Sequence, residues 1–187
     1  MGVDCRELKA LKKRLENEVN AMDLFIQDCS KELAARLLAK VIKRTPVGDY
    51  SDTYELEDDG ENKFLVMSDK MGGTLRRGWT SKTAKEAESG SGSPTEADAK
   101  AFVETLNITH NGGMYTVEVT NPVEYSSHVE FGHPQTPGRY VPAIGKRLID
   151  SWVEGKFMLT ISEQELQREA PGVIEAKIAK KLGEYFK

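Results

Sequence analysis

The sequence predicts an α+β fold: an antiparallel sheet packed against a long N-terminal helix, with further helices at the C-terminal end. Three observations point there. Apolar residues recur every three or four positions from Leu8 to Val41, two alternating runs flank Asn111-Gly112-Gly113, and helical spacing returns after residue 162. At 187 residues the chain fits one domain, residues 1–187, with a helical N-terminal segment (1–48), a mobile loop (83–98) and C-terminal helices (162–187).

The first element rests on Leu8, Leu11, Leu15, Val19, Met22, Ile26, Cys29, Leu33, Leu37 and Val41, an apolar stripe that needs a surface to cover it. Asp4 and Glu7 have capping-box spacing, and Asp23 offers a second cap, so a bend near residues 20–22 would give two helices. Pro46 disfavours helical geometry at Thr45 and ends the element.

Residues 49–62 are acidic and polar, and residues 64–68 alternate as a short strand. Leu75 to Lys82 reads as extended, with Trp79 on one face. Thr83 to Asp98 has almost no large apolar residue and cannot offset its ordering entropy by burial. Phe102, Leu106 and Ile108 share one parity and Tyr115, Val117 and Val119 another, around an Asn-Gly turn that favours a hairpin. Ile144, Leu148 and Trp152 are four apart and predict a helix. Ser162 with Glu165 has capping-box spacing, and Pro171 stands where another helix would begin before Ile174, Ile178 and Leu182.

Composition excludes several classes. Hydrophobic residues make up 39% and charged residues 30%, with a net charge of −4, against a protein built chiefly to grip nucleic acid. No apolar run approaches the ~20 residues of a membrane span, and the charged, periodic N-terminus lacks a signal-peptide core, which predicts a product of the cytosol. Cys5 and Cys29 show no ligand or redox spacing and read as reduced thiols.

The stretch VEYSSHVEFGH, Val123 to His133, gathers two histidines and two glutamates among apolar residues. Its flanks predict a short helix: Asn121 as N-cap, Pro122 at the first helical position and Gly132 as terminator. Two residues apart on a helix, His128 and Glu130 point away from each other and cannot share a metal. A metal enzyme or hydrolase built on His128, His133 and a glutamate is the weakest reading, because HExxH and the zinc-deaminase signature are absent. No catalytic, cofactor or metal residue is assigned. In TLRRGW, Arg76 and Arg77 beside Trp79, with Lys82 following, could contact phosphates and bases of a nucleic acid; alternatively the Trp packs inward and the arginines pair with acids.

Four fragments in order then carry a resemblance: KRTPVG closing the first helix, GTLRRGW, VEYSSHVEFGH, and WVEGKFMLT from Trp152. Together the chain resembles the head–tail joining (neck, or tail-completion) family of tailed bacteriophages and phage-like particles. That resemblance implies a non-enzymatic α+β virion part without cofactor, assembled in the bacterial cytoplasm. It also implies self-assembly into a ring, with six copies the number that tail symmetry suggests. The ring would stack on tail-terminator, tail-tube or head-connector proteins, with no membrane and no specific nucleic acid as partner. Two segments depart from the family pattern, Asp49 to Gly72 and Pro134 to Ser151. Within this reading Trp79, Tyr125, Val129, Phe131 and Gly132 form the corner that holds sheet against helices. Arg76, Arg77, Glu124, Glu130 and His133 are the candidates for contacts between subunits.

Overall fold

A computed structural model describes residues 6–48, 54–58, 63–67, 72–141 and 146–185. One unbroken helix, α1 (Arg6–Arg44), is the spine. At 1.5 Å per residue its 39 residues reach about 58 Å. The bend anticipated at residues 20–22 does not occur, because the apolar stripe continues without a breaker. The candidate cap at Asp4 lies outside the described residues.

Among the described residues, α1 is enclosed along its C-terminal half. Ala34, Leu38, Val41 and Ile42 are buried there with Leu75, Trp79, Ala87, Ala99, Val103, Val123 and Met158. These come from the short helices α2 (Thr74–Gly78), α3 (Ala84–Ser89) and α4 (Glu96–Glu104), from the 121–123 turn and from the first residue of α6 (Met158–Tyr185). The core thus gathers small contributions from many elements around one helix end.

The antiparallel pairs form two-stranded ribbons. β1 (Tyr54–Asp58) pairs with β2 (Lys63–Met67), and β3 (Ile108–Asn111) with β4 (Met114–Val117). In the latter, Asn111 faces Met114 across a two-residue loop in which Gly112 and Gly113 both have positive φ, the geometry that Asn-Gly-Gly favours. β4 lies against α1, where the Tyr115 hydroxyl donates to Asp23. This is the sheet-on-helix packing that the alternation predicts.

Several local expectations change. TLRRG is helix, not strand, and Phe102 lies in α4, with the strand beginning only at Ile108. The 83–98 segment, expected to be a mobile loop, holds α3 and the start of α4. Thr83 caps the first helix and Thr95 forms a full capping box with Asp98. Buried Ala87 and Ala99 show how small residues suffice where the helix backbone itself packs close.

After α5 (Ser126–Phe131) comes the largest difference. Where Leu148 and Trp152 suggested a helix, β5 (Gly132–Pro134) and β6 (Tyr140–Val141) run antiparallel to β8 (Trp152–Glu154) and β7 (Lys146–Arg147). Bonds from Gln135 N–H to Ser151 O and from Gly138 N–H to Leu148 O join the pairs into one ribbon. Its register slips by one residue at Gly138, where φ is +81°, the pattern of a glycine bulge. Ile144 lies outside the described residues.

The helix predicted from Ser162 begins at Met158 instead, and Pro171 lies inside it. The Ser162 hydroxyl, buried, donates back to Met158 O at 2.6 Å rather than capping. A proline removes one helical bond, but α6 is anchored to α1 on both sides of it, by Lys40–Glu169 at 2.8 Å and Lys177–Asp28 at 2.5 Å.

Candidate functional site

The quoted fragments converge on the C-terminal end of α1. Thr45 is its centre: the hydroxyl donates to Val41 O at 2.7 Å and accepts from the Trp79 indole at 2.8 Å. Arg76 directs Nε and Nη2 at Thr45 O, at 3.0 and 2.6 Å, placing a cation on the negative end of the α1 dipole. Arg77 is buried and donates to carbonyls, Ala87 O at 2.8 Å, Gly72 O at 3.1 Å and Gly92 O at 3.2 Å. Its planar fork ties α2 to the segment around α3 in a way a flexible ammonium would not.

Glu130 serves the opposite helix end. Its carboxylate accepts from Leu159 N–H and Thr160 N–H, both at 2.9 Å, and from the Thr160 hydroxyl at 2.8 Å. These are orphan donors in the first turn of α6, so the carboxylate acts as a remote N-cap where negative charge is favoured. Lys156 N–H and Phe157 N–H bond Val129 O and Glu130 O in the same joint. The backbones approach so closely that a side chain at Gly155 would collide with the Glu130 carbonyl.

Arg77 and Glu130, read from the sequence as subunit contacts, are therefore buried and engaged within the chain, and Arg76 is largely so. Glu124 is exposed and His133 half-buried. Of the expected corner, Trp79 is buried, Val129 packs on the core and Gly132 terminates α5 with φ +83°. Tyr125 and Phe131 instead lie on the surface, 47% and 61% exposed. The cap of α5 is Tyr125 rather than Asn121, whose side chain accepts from Val123 N–H and donates to Leu75 O, bracing α2.

The TLRRGW segment faces inward, so the stacking platform that nucleic-acid binding would need is absent from the surface at Trp79. The His128 and His133 rings meet edge to face at 5.5 Å. Among the described residues no group of three His, Cys, Asp or Glu is placed to hold a metal ion.

A second feature is an open apolar groove between α1 and α6. Met22, Phe25, Ile26 and Leu33 face Ile174, Ile178 and Leu182 across about 450 Å³. Leu182 is 50% and Met22 58% exposed, although both belong to apolar stripes. Cys29 lies in the groove, and burial pushes its thiol pKa up, so it behaves as a small hydrophobe. Toward the core, Arg44 bonds Glu165 at 2.7 Å, which holds that carboxyl below its ordinary range. The hydrogen bond to Glu169 raises Lys40. The stripe on α1 was legible in the sequence; its pairing with α6 was not, because the side-chain bonds between the two helices span 118 to 149 residues of sequence.

No curated protein matches the chain, and no solved structure does. A family model does match, over residues 9–132, two thirds of the chain: HK97-gp10_like, described as "Bacteriophage HK97-gp10, putative tail-component". It covers α1 from residue 9, the end of that helix and α5, and stops at Gly132, so the remainder of the β5–β8 ribbon and α6 follow the matched region. On this match the chain belongs to the HK97-gp10-like family, structural components associated with the bacteriophage tail.

Proposed function

We propose that this tail component acts at the head–tail junction, as one subunit of a neck or tail-completion ring, and that its role is mechanical rather than catalytic. The observation that carries the reading is the uncovered α1–α6 face. Val19, Met22, Ile178 and Leu182 are all between 42% and 62% exposed on two adjoining helices. Contiguous apolar surface of this kind marks an interface with another protein, and a head-to-tail contact whose rotation closes generates a ring. Self-assembly, with six copies matching tail symmetry, and stacking on tail-terminator, tail-tube or head-connector proteins follow from that role. The whole chain works as one unit in the virion neck after assembly in the host cytoplasm. Glu124 and His133 lie beside α5 as candidate contacts with those neighbours.

Two experiments test the reading. Electron microscopy of particles made without the gene is expected to show heads and tails apart, or tails with a faulty upper end; particles joined as usual would refute it. Replacing exposed Met22 and Ile178 by Lys is expected to abolish assembly while leaving the helical circular dichroism spectrum intact.

A further inference from the structure

Three aromatic rings stand half exposed around one joint of the chain. Phe131 ends α5 and is 61% exposed, Trp152 opens β8 at 52%, and Phe157 stands just before α6 at 44%. All three flank the backbone of residues 130–132. Phe157 N–H bonds Glu130 O at 3.0 Å, and Phe131 precedes Gly132. The Trp152 indole lies so close to Gly132 that a side chain there would crowd its Nε1. The same joint is tied to α6 by the Glu130 carboxylate. Rings carried on so well-bonded a backbone need little ordering when they meet a partner.

Phe157 carries strain as well. Its φ is +47°, and among the described residues no other non-glycine residue has a positive φ. A bulky side chain is strained in that region, where Asn or Gly would sit at lower cost. A ring nearly half exposed on a strained backbone does little for the fold of the single chain, so its use lies in contact with another molecule.

The α1–α6 groove has the shape to receive these rings. Met22, Phe25, Ile174, Ile178 and Leu182 line an apolar hollow of about 450 Å³. Two such hollows set face to face would enclose a void whose walls lose their contacts. The complement of a hollow is a projection, and the aromatic joint supplies one. Within one chain the two cannot meet, because from Met158 to Ile178 the axis of α6 rises about 30 Å. Half-exposed aromatic rings bring on the order of 100 Å² each. Three of them provide the apolar centre of an interface of about 800 Å² per partner, with the helix flanks as its polar rim.

We propose that the aromatic joint of one copy, Phe131, Trp152 and Phe157, seats in the α1–α6 groove of the next. The contact joins two different surfaces and is therefore heterologous, so it continues from copy to copy and closes into a ring where the rotation allows. It rests on the ring reading above and names the two surfaces that meet.

The test mixes full-length variants that each lack one surface and measures association by sedimentation equilibrium. Trp152→Ser with Phe157→Asn removes the joint, and Met22→Lys with Ile178→Lys removes the groove. The wild type is expected to form oligomers, and each variant alone to associate at least tenfold more weakly. Mixed, the two variants are expected to form dimers and nothing larger, because one intact joint then meets one intact groove. Phe131→Ser and Ile178→Lys, single changes at exposed positions, serve if a double variant loses its helical circular dichroism. A wild type that stays monomeric overturns the contact. So does a joint variant that associates normally, the result expected if groove met groove. A mixture that stays monomeric overturns it too, the result expected if a different virion protein filled the groove. Rings from the joint variant would sink this contact alone; normal particles without the gene would sink the ring reading.

Discussion

The Trp79 indole N–H donates to the Thr45 hydroxyl at 2.8 Å, binding α2 to the end of α1 across 34 residues of sequence. Both residues are buried, and the same hydroxyl donates a hydrogen bond to Val41 O, so one threonine links the indole to the last turn of the spine. Helix end, indole and the Arg76 guanidinium form a single polar knot inside an apolar core.

Thr45→Val keeps the shape but leaves the indole donor buried without an acceptor. It is expected to cost about 1–3 kcal/mol, the usual penalty of an unmet buried donor. Trp79→Phe with Thr45→Val together is expected to recover part of that loss. Urea unfolding of the two single variants and the pair measures the coupling directly.

Glu130→Gln retains an acceptor for the first turn of α6 but loses the charge, and is expected to cost less than Glu130→Ala. The alanine variant removes every acceptor and should cost about 2 kcal/mol or more, at the upper end for a helix cap. Glu124→Ala, six residues away and exposed, should stay within about 0.5 kcal/mol. Equal effects at the two positions would contradict the capping role.

Arg77→Lys is expected to destabilise by about 1–3 kcal/mol despite keeping the charge, since an ammonium cannot reach Ala87 O, Gly72 O and Gly92 O together. Hydrogen exchange should show α3 opening before α1 in this variant.

The cluster of Arg44, Lys40, Glu165 and Glu169 predicts a pH signature. Glu165 has its pKa lowered, first by the Arg44 hydrogen bond, so its contribution is present above the ordinary carboxylate range and disappears as pH falls through the lowered value. Lys40 has its pKa raised, first by the Glu169 hydrogen bond, so its contribution is present below the ordinary lysine value and disappears as pH rises through the raised one. Thermal unfolding of Glu165→Gln should therefore fall below wild type at neutral pH, with the two curves merging in acid and in high salt.

Much of this molecule was written in local pattern. The stripe from Leu8 to Val41 specified α1, Pro46 ended it, and Asn111-Gly112-Gly113 specified the β3–β4 hairpin, because periodicity and turn chemistry act over a few residues. Four short fragments in order were enough to point to the phage family. Local pattern failed where distant contacts override it. Leu75 to Lys82 read as extended, but Arg76 and Trp79 both find acceptors at Thr45, which favours a helical turn there. Leu148 and Trp152 at helical spacing became β-ribbon because their strands pair with residues 132–141.

The sequence alone thus determined the main helix, the hairpin turn, the acidic and basic segments and the family. Tertiary structure decided what each polar residue does. Arg77 and Glu130 look like surface charges in the chain and prove to be buried clamps, since only folding brings helix ends and loop carbonyls within hydrogen-bond reach. It likewise decided that the α1 stripe is covered at Leu38 and Val41 and open at Met22, because α6 folds back along α1 and leaves a groove between the two helices.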